Sequence, residues 1–114
     1  QVVLLPNLYG DIITDEAAQI QGGVGTAGSA NIGDKYAMFE AIHGSAPRMI
    51  ERGMGEYANP ASIIKAAAML LRHICRHDAA QKLENALQNC PVTITGQRDG
   101  ATCKDYANAL IEMI

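Results

Sequence analysis

The sequence of 114 residues lacks the features that would assign it to several specialised classes. It has no basic cluster, and a net charge of −3 leaves it little with which to neutralise a row of phosphates, which argues against nucleic-acid or anionic-membrane partners. Its longest apolar run, Ala66–Leu71, is far shorter than the roughly 20 residues that cross a bilayer, and no signal-peptide pattern opens it. We therefore expect one compact domain at most.

Cysteine is also scarce, and its positions form no metal or disulfide pattern. Cys75, Cys90 and Cys103 lie far apart, are odd in number and include no C-x-x-C pair, which argues against a disulfide framework and a zinc site. We expect each to be a small buried apolar residue rather than a nucleophile. This usage suits a reducing compartment, so the sequence predicts a cytoplasmic protein.

Apolar residues make up 48% of the chain and charged residues 18%, which excludes a disordered protein. Two apolar runs, Gln1–Leu5 and Tyr36–Ile42, predict strands. Asp11 is a candidate N-cap for a helix that two glycines end, and the glycine-rich residues 22–33 predict a loop. Strands that alternate with helices indicate an α/β fold with a parallel sheet.

The second half of the chain predicts three helices. Asn59 and Pro60 suit the N-cap and first position of one helix, whose buried stripe repeats at Ile63, Ala67, Leu70 and Ile74. The next would cover Asp78–Asn89 and the last Cys103–Ile114. Residues 92–95 between them predict a short extended segment, and residues 48–57 a polar surface excursion.

Asp11 and Asp15 are the first candidates for chemistry. Four residues apart on a helix, their carboxylates share one face. Such hard oxygen ligands suit Mg²⁺ or Mn²⁺, which take one or two carboxylates and leave other positions to water and substrate. The alternative is structural: Asp11 would cap the helix and Asp15 would be a solvated acid of the first turn, both favoured by the helix dipole.

Two loops are candidates for contact with a ligand. The glycines of residues 22–28 could cradle an anion, although this stretch follows a helix rather than a strand and equally suits a flexible connector. Residues 40–47 leave a strand and enter a tight turn, where the bare backbone of Gly44 allows close approach. Loops at the carboxyl ends of strands often bind ligands, whereas His43 taken alone is more often structural.

Three blocks of sequence closely resemble the isocitrate/isopropylmalate dehydrogenase family. They are residues 7–18 (NLYGDIITDEAA), residues 39–47 (FEAIHGSAP) and residues 58–60 (ANP), in the family's order. The resemblance covers nearly the whole chain. It implies that residues 1–114 are one segment, the C-terminal part of the large domain that binds cofactor and metal, in a fold completed by an N-terminal segment.

The resemblance also implies roles for individual residues. Asp11 and Asp15 would hold the metal ion. The adenosine half of the nicotinamide cofactor would be bound at Glu40, His43, Gly44, Ser45, Ala46, Pro47, Arg48 and Asn59. The family's substrate-clamping arginines and its proton-transferring Tyr and Lys lie upstream, so no catalytic residue is assigned here and these residues alone are expected to be inactive.

The resemblance leaves the choice between NAD and NADP open. After the H-G-S-A-P loop, NAD-using members typically carry Asp and many NADP-using members carry Lys-Tyr, whereas here the pair is Arg48-Met49. Arg48 would suit a 2′-phosphate, because a guanidinium pairs with phosphate through two N–H groups, but it also suits a solvated loop. The missing Tyr leads us to predict NAD, with NADP as the alternative.

The implied reaction is the metal-dependent oxidative decarboxylation of a small 2-hydroxy acid. Hydride passes from C2 to the cofactor, and the 2-oxo acid then loses CO₂ while Mg²⁺ or Mn²⁺ polarises the new carbonyl. The block 39–41 is closer to the isocitrate branch, so isocitrate is the expected substrate. The alternatives are 3-isopropylmalate and a non-catalytic regulatory subunit. A homodimer with a shared active site is expected, and residues 1–114 alone are expected to self-associate.

Overall fold

The computed structural model describes residues 2–20, 22–23 and 27–114. Helix α1 spans Asn7–Ile20, four residues longer at its start than predicted. The Gly10 N–H already donates to the Pro6 carbonyl at 2.8 Å, so Asp11 lies inside the helix and the prediction of an N-cap there is wrong. The predicted glycine stop is confirmed, because the Gly23 N–H donates to the Ala18 carbonyl at a φ of 102° that favours glycine.

The predicted strand at Gln1–Leu5 does not form in the part of the chain that is described. Residues 2–5 have no regular secondary structure and are exposed, and Gln1 lies outside the described residues. A strand is stabilised by a neighbouring strand that takes up its backbone hydrogen bonds, and none of the described residues pairs with this segment. The apolar composition is therefore not enough to define a strand here.

The sheet is an antiparallel pair of strands, β1 (Gly28–Ile32) and β2 (Ala37–Ala41). Gly28 faces Ala41 at one end and Ile32 faces Ala37 at the other. The predicted strand Tyr36–Ile42 is confirmed, but the predicted loop at residues 22–33 is wrong because its second half is β1. The expectation of parallel strands also fails for this pair, since a parallel crossover needs a dozen or more residues and the connection here is a short turn.

Helix α3 (Ala61–His73) packs across this sheet, as an α/β fold requires. It follows a short helix α2 (Pro47–Glu51), which starts one residue before the predicted surface excursion, and a 3₁₀ turn at Gly55–Tyr57 within it. The predicted N-cap at Asn59 is wrong by one residue, but the Asn59 Oδ1 still accepts a hydrogen bond from the first helical N–H, that of Ala61, at 2.9 Å. The helix starts one residue later than predicted, with Pro60 at the cap position.

The buried face of α3 is made of small side chains. Ala61, Ser62, Ala66 and Ala68 are buried, whereas Ile63, Leu70 and Ile74 of the predicted stripe are 41–54% exposed. The prediction of the stripe is wrong because the sheet approaches too closely for large residues. A Cβ added at Gly28 would lie 2.6 Å from the Ala66 backbone nitrogen.

The remaining helices, α4 (His77–Asn89) and α5 (Cys103–Met113), complete the core. Ala61, Ala86, Tyr106 and Leu110 form its buried centre, and the side chains packed around it include Ile64, Leu87, Cys90, Val92 and Ile94. The apolar pattern of α4 and α5 also predicts Leu83, Ala86 and Leu87, and Tyr106, Ala109, Leu110 and Met113, as inward-facing residues. Ala86, Leu87, Tyr106 and Leu110 are confirmed as part of the core, whereas Met113 is 42% exposed. No helix of the described residues is long and apolar enough to cross a membrane.

The cysteines are less buried than predicted. Cys90 and Cys103 are half-buried and Cys75 is exposed, and all three are free thiols. Cys75 follows α3 with a φ of 60°, and its N–H donates to the Arg72 carbonyl while the Arg76 N–H donates to the Leu71 carbonyl. These two bonds form a Schellman motif with cysteine where glycine is usual, and a residue in this position points away from the helix.

Candidate functional site

The loop between β2 and α2 contains four of the eight predicted cofactor residues, His43, Gly44, Ser45 and Ala46, and two more, Pro47 and Arg48, begin α2. Strand β2 ends at Ala41, and the chain turns at Ala46, which has φ 47° and ψ 55° and whose carbonyl accepts the Met49 N–H at 2.9 Å. This left-handed turn leads into α2, where Pro47 needs no N–H partner. A Cβ added at Gly44 would meet no atom within 4 Å, so the loop backbone faces open space.

A cavity of about 670 Å³ lies against this loop. The loop supplies His43, Gly44, Ser45 and Ala46, and the chain just before α3 supplies Asn59. A third wall comes from residues 94–96, which overlap the segment predicted to be extended. The structure therefore brings five of the predicted cofactor residues together, among apolar walls that include Met49, Ile50, Tyr57 and Ile94.

A second hollow of about 540 Å³ adjoins the first, because Ala46, Met49 and Gly96 line both. It contains the predicted residues Pro47 and Arg48 together with Arg52. Behind its lining, the Arg98 guanidinium donates to the Arg52 carbonyl at 3.3 Å and to the Met54 sulfur at 3.2 Å. Two arginine side chains thus line a hollow beside the larger cavity, which suits an anionic group.

The structure does not bring Glu40 to either cavity. Its side chain lies on the exposed face of the hairpin, where the Asn31 Nδ2 donates to its Oε1 at 3.0 Å. Asn31 and Glu40 are diagonal neighbours on β1 and β2, so this bond links the two strands. Glu40 can therefore influence the loop only indirectly, by stabilising strand β2 from which the loop starts.

Asp11 and Asp15 lie one helical turn apart on α1, and both are exposed. The neighbouring Thr14 hydroxyl donates to the Gly10 carbonyl of its own helix at 2.8 Å. No group of three or more His, Cys, Asp or Glu that could hold a metal occurs within the described ranges. The donor set fits Mg²⁺ or Mn²⁺ as a partial site, because these ions take few carboxylates and complete their coordination with other oxygens.

The predicted anion cradle in the glycine-rich stretch falls largely outside the described residues, which omit Gln21 and residues 24–26. At its downstream end, the Ala27 carbonyl accepts a hydrogen bond from the Ser62 hydroxyl. The same hydroxyl oxygen accepts the Ile42 N–H at 3.3 Å. Sequence reasoning missed Ser62, although a lone hydroxyl among the alanines of a helix face was an available signal.

The resolved pKa shifts lie away from the cavities. An ion pair with Arg72 lowers the pKa of Glu84, and it joins α3 to α4. The Thr102 hydroxyl and N–H lower the pKa of Asp105 through the capping box that starts α5. Burial raises the pKa of Tyr106. These groups contribute to the packing of helices α3, α4 and α5 and lie outside the candidate site.

A mostly apolar cleft beside a bare loop backbone is typical of a small-molecule or cofactor site. Comparison with known proteins identifies the family. A sequence model of the family described as isocitrate/isopropylmalate dehydrogenase matches residues 1–109. The isocitrate dehydrogenase (NADP) of Rickettsia typhi is 55% identical over 85 residues, which are 75% of this chain and 17% of that protein.

Two further similarities extend over nearly the whole chain. The mitochondrial isocitrate dehydrogenase (NAD) subunit 2 of Schizosaccharomyces pombe is 41% identical across 99% of this chain and 30% of that protein. The crystal structure of isocitrate dehydrogenase from Methylococcus capsulatus matches with a TM-score of 0.81 and 39% identity, over 94% of this chain and 32% of that chain. The chain spans less than a third of the length of these relatives.

These findings confirm the α/β fold and the family. The chain belongs to the isocitrate/isopropylmalate dehydrogenase family, a family of oxidoreductases. The sequence resemblance seen in three short blocks therefore extends over residues 1–109, the range that the family model matches.

Proposed function

We propose that the complete polypeptide carrying this chain oxidatively decarboxylates isocitrate with a nicotinamide dinucleotide. The supporting observation is the meeting of the loop residues 43–46 and Asn59 on one cavity, although they come from different elements. Residues 1–114 would be the C-terminal part of the domain that binds cofactor and metal. On this proposal they bind and orient, and the residues that transfer protons belong to other parts of the protein.

The larger cavity suits the adenosine half of the cofactor. Its volume of about 670 Å³ lies within the usual range for ligand clefts, and its apolar walls offer surface for a purine. The open backbone around Gly44 and the amide of Asn59 supply hydrogen-bonding groups at its edge. Asn59 also receives the Ala61 N–H, so its amide is held at a fixed orientation.

The adjoining hollow supports NADP over the NAD that the sequence alone favours. Arg52 lines it together with Arg48, so a 2′-phosphate there would meet two guanidinium groups instead of one. Charge-assisted bonds from arginine to phosphate are among the stronger hydrogen bonds in proteins. Arg48→Ala and Arg52→Ala are therefore expected to raise the KM for NADP and leave the KM for NAD nearly unchanged.

Asp11 and Asp15 are the proposed metal ligands in this chain. When bound, Mg²⁺ or Mn²⁺ would supply Lewis-acid polarisation of the substrate oxygens. The two carboxylates contribute negative charge and two of the ligands. The others would come from water, substrate and, in a homodimer with a shared active site, the partner subunit.

The test is steady-state turnover of the complete polypeptide with isocitrate or 3-isopropylmalate, each with NAD or NADP, with and without Mg²⁺. We expect metal-dependent turnover of isocitrate that Asp11→Asn reduces at least a hundredfold. Glu112→Gln, an exposed acid-to-amide change at the far end of α5, is the matched control and should retain full activity.

The same experiment separates the alternatives. Turnover of 3-isopropylmalate instead of isocitrate would support the isopropylmalate branch of the family. No turnover with any pair, in a folded protein, would contradict the enzymatic proposal and favour a regulatory subunit that binds a catalytic relative.

A further inference from the structure

Ser62 is the one fully buried polar side chain among the described residues, and its surroundings connect two loops. It is 0% exposed and lies in the first turn of α3. Its hydroxyl donates to the Ala27 carbonyl, immediately before β1, and accepts from the Ile42 N–H, immediately after β2. One side chain therefore joins the ends of both strands to the start of a helix.

This bridge lies directly beside the start of the candidate cofactor loop. Ile42 immediately precedes His43, the first loop residue on the larger cavity. Its N–H lies beyond the ladder, which ends at the pair of Gly28 and Ala41, so no strand partner fixes it. The Ser62 hydroxyl accepts this N–H and so anchors the residue from which the loop begins.

The other wall of the cavity is fixed to the same helical turn. The Asn59 Oδ1 accepts the Ala61 N–H at 2.9 Å, one residue before Ser62. Asn59 and the loop residues 43–46 are thus both tied to the first turn of α3, through two different hydrogen bonds. The separation of the two walls is set by this turn.

We propose that Ser62 is a positioning residue for the cofactor site: it fixes the origin of the loop 43–46 relative to Asn59. It touches no cofactor itself. This inference rests on the proposed function, since it assumes that the cavity between these walls binds the adenosine half of the cofactor. A purely packing role predicts instead that any small buried residue serves equally well.

Three variants of the complete polypeptide distinguish these roles. Ser62→Ala removes the hydroxyl at nearly constant volume. Ser62→Thr keeps the hydroxyl and adds a methyl group to a site with no spare space. Ala80→Gly, at a fully buried position of α4 away from the cavity, weakens a helix without touching the loop.

We expect Ser62→Ala to raise the KM for the cofactor about fivefold with kcat within twofold, because the hydroxyl's two bonds are lost while the chemistry stays in place. Ala80→Gly should lose a similar amount of melting temperature with an unchanged KM. Ser62→Thr should keep the KM of the parent protein even if its melting temperature is lower. Equal KM values for Ser62→Ala and Ala80→Gly at equal stability would overturn the proposal.

Amide hydrogen exchange of residues 42–46 gives a readout that needs no activity. Faster exchange there in Ser62→Ala, with residues 103–113 unchanged, is the expected result. If the parent protein shows no turnover, the proposed function fails while this exchange difference still supports a positioning role. An unchanged exchange rate at residues 42–46 would overturn the positioning role whatever the kinetics show.

Discussion

At the scale of single residues, the structure explains positions that composition alone does not. Ala46 and Cys75 both adopt left-handed backbone angles that favour glycine, and each ends or begins a helix. The left-handed turn at Ala46 lies where the loop lines the larger cavity, so the backbone strain at this residue is part of the candidate site. The left-handed turn at Cys75 lies away from both cavities and ends α3.

Cys75→Gly should therefore stabilise the protein. Glycine adopts a φ of 60° without the steric cost that a side chain brings, and we expect a gain of about 0.5–1 kcal/mol in the free energy of unfolding after glycine's own entropy cost. Chemical denaturation followed by circular dichroism measures it. Cys75→Ala, which removes the thiol and keeps the Cβ, is the control, and an equal gain from it would refute the argument from backbone strain.

Asp105 should contribute to acid unfolding. The Thr102 hydroxyl and backbone N–H lower its pKa in the folded protein, so the stabilisation is present at neutral pH and is lost as pH falls through the lowered pKa, below about pH 4. We expect Asp105→Asn to flatten the pH dependence of the melting temperature between pH 2 and pH 5. Asp99→Asn, in the loop before α5, should leave the pH dependence as it is in the parent.

At the scale of elements, contact between α3 and the hairpin decides which residues are inside. Small residues of α3 lie against β1 and β2, Ile63 and Leu70 remain exposed, and Ile64 packs into the core with α4 and α5. An apolar repeat indicated that a helix forms here. Which side of it is buried depended on the neighbouring element, because only small side chains fit beside Gly28.

Gly28→Ala tests this close approach. The new methyl group would lie 2.6 Å from the Ala66 nitrogen, which is backbone and cannot rotate away. We expect a loss of about 2 kcal/mol in unfolding free energy, typical of overpacking, measured by urea denaturation. Gly55→Ala is the matched control, because a Cβ there meets no atom within 4 Å, and it should change stability by less than about 0.5 kcal/mol.

At the scale of the whole molecule, apolar surface remains uncovered. Ile63 on α3 and Ile74 just after it are 50% and 54% exposed, and Ile111 on α5 is 70% exposed. Helix α1 contributes only Ala18 to the buried residues. Large apolar side chains left exposed in this way are available for contact with other chain segments, and relatives of this chain are at least three times its length.

Residues 1–114 expressed alone are therefore expected to self-associate through the exposed face of α3. Sedimentation velocity over a concentration series should show oligomers, and Leu70→Asp should weaken association about tenfold or more, because burying one leucine contributes roughly 1.5–3 kcal/mol. Thr93→Asp, an exposed position outside every helix, is the control. A clean monomer at high concentration would contradict this expectation.

Much of the candidate site could be proposed from the sequence because it lies in short local patterns. The loop from His43 to Pro47, Asn59 and the pair Asp11 and Asp15 fall within the blocks that carry the family resemblance. Arg52 and the bridging role of Ser62 were not proposed, because they arise only where distant segments meet. A hydroxyl that bridges residues 27 and 42 leaves no periodic trace in the chain.

The sequence by itself determined the family, the existence of the long helices and the strand at residues 37–41, since each depends on neighbouring residues. Only the tertiary structure decided that residues 2–5 form no strand, that residues 28–32 do, and that the face of α3 toward the hairpin is made of small residues. The physical reason is the same in each case. Pairing and burial are properties of two surfaces, and one stretch of chain specifies only one of them.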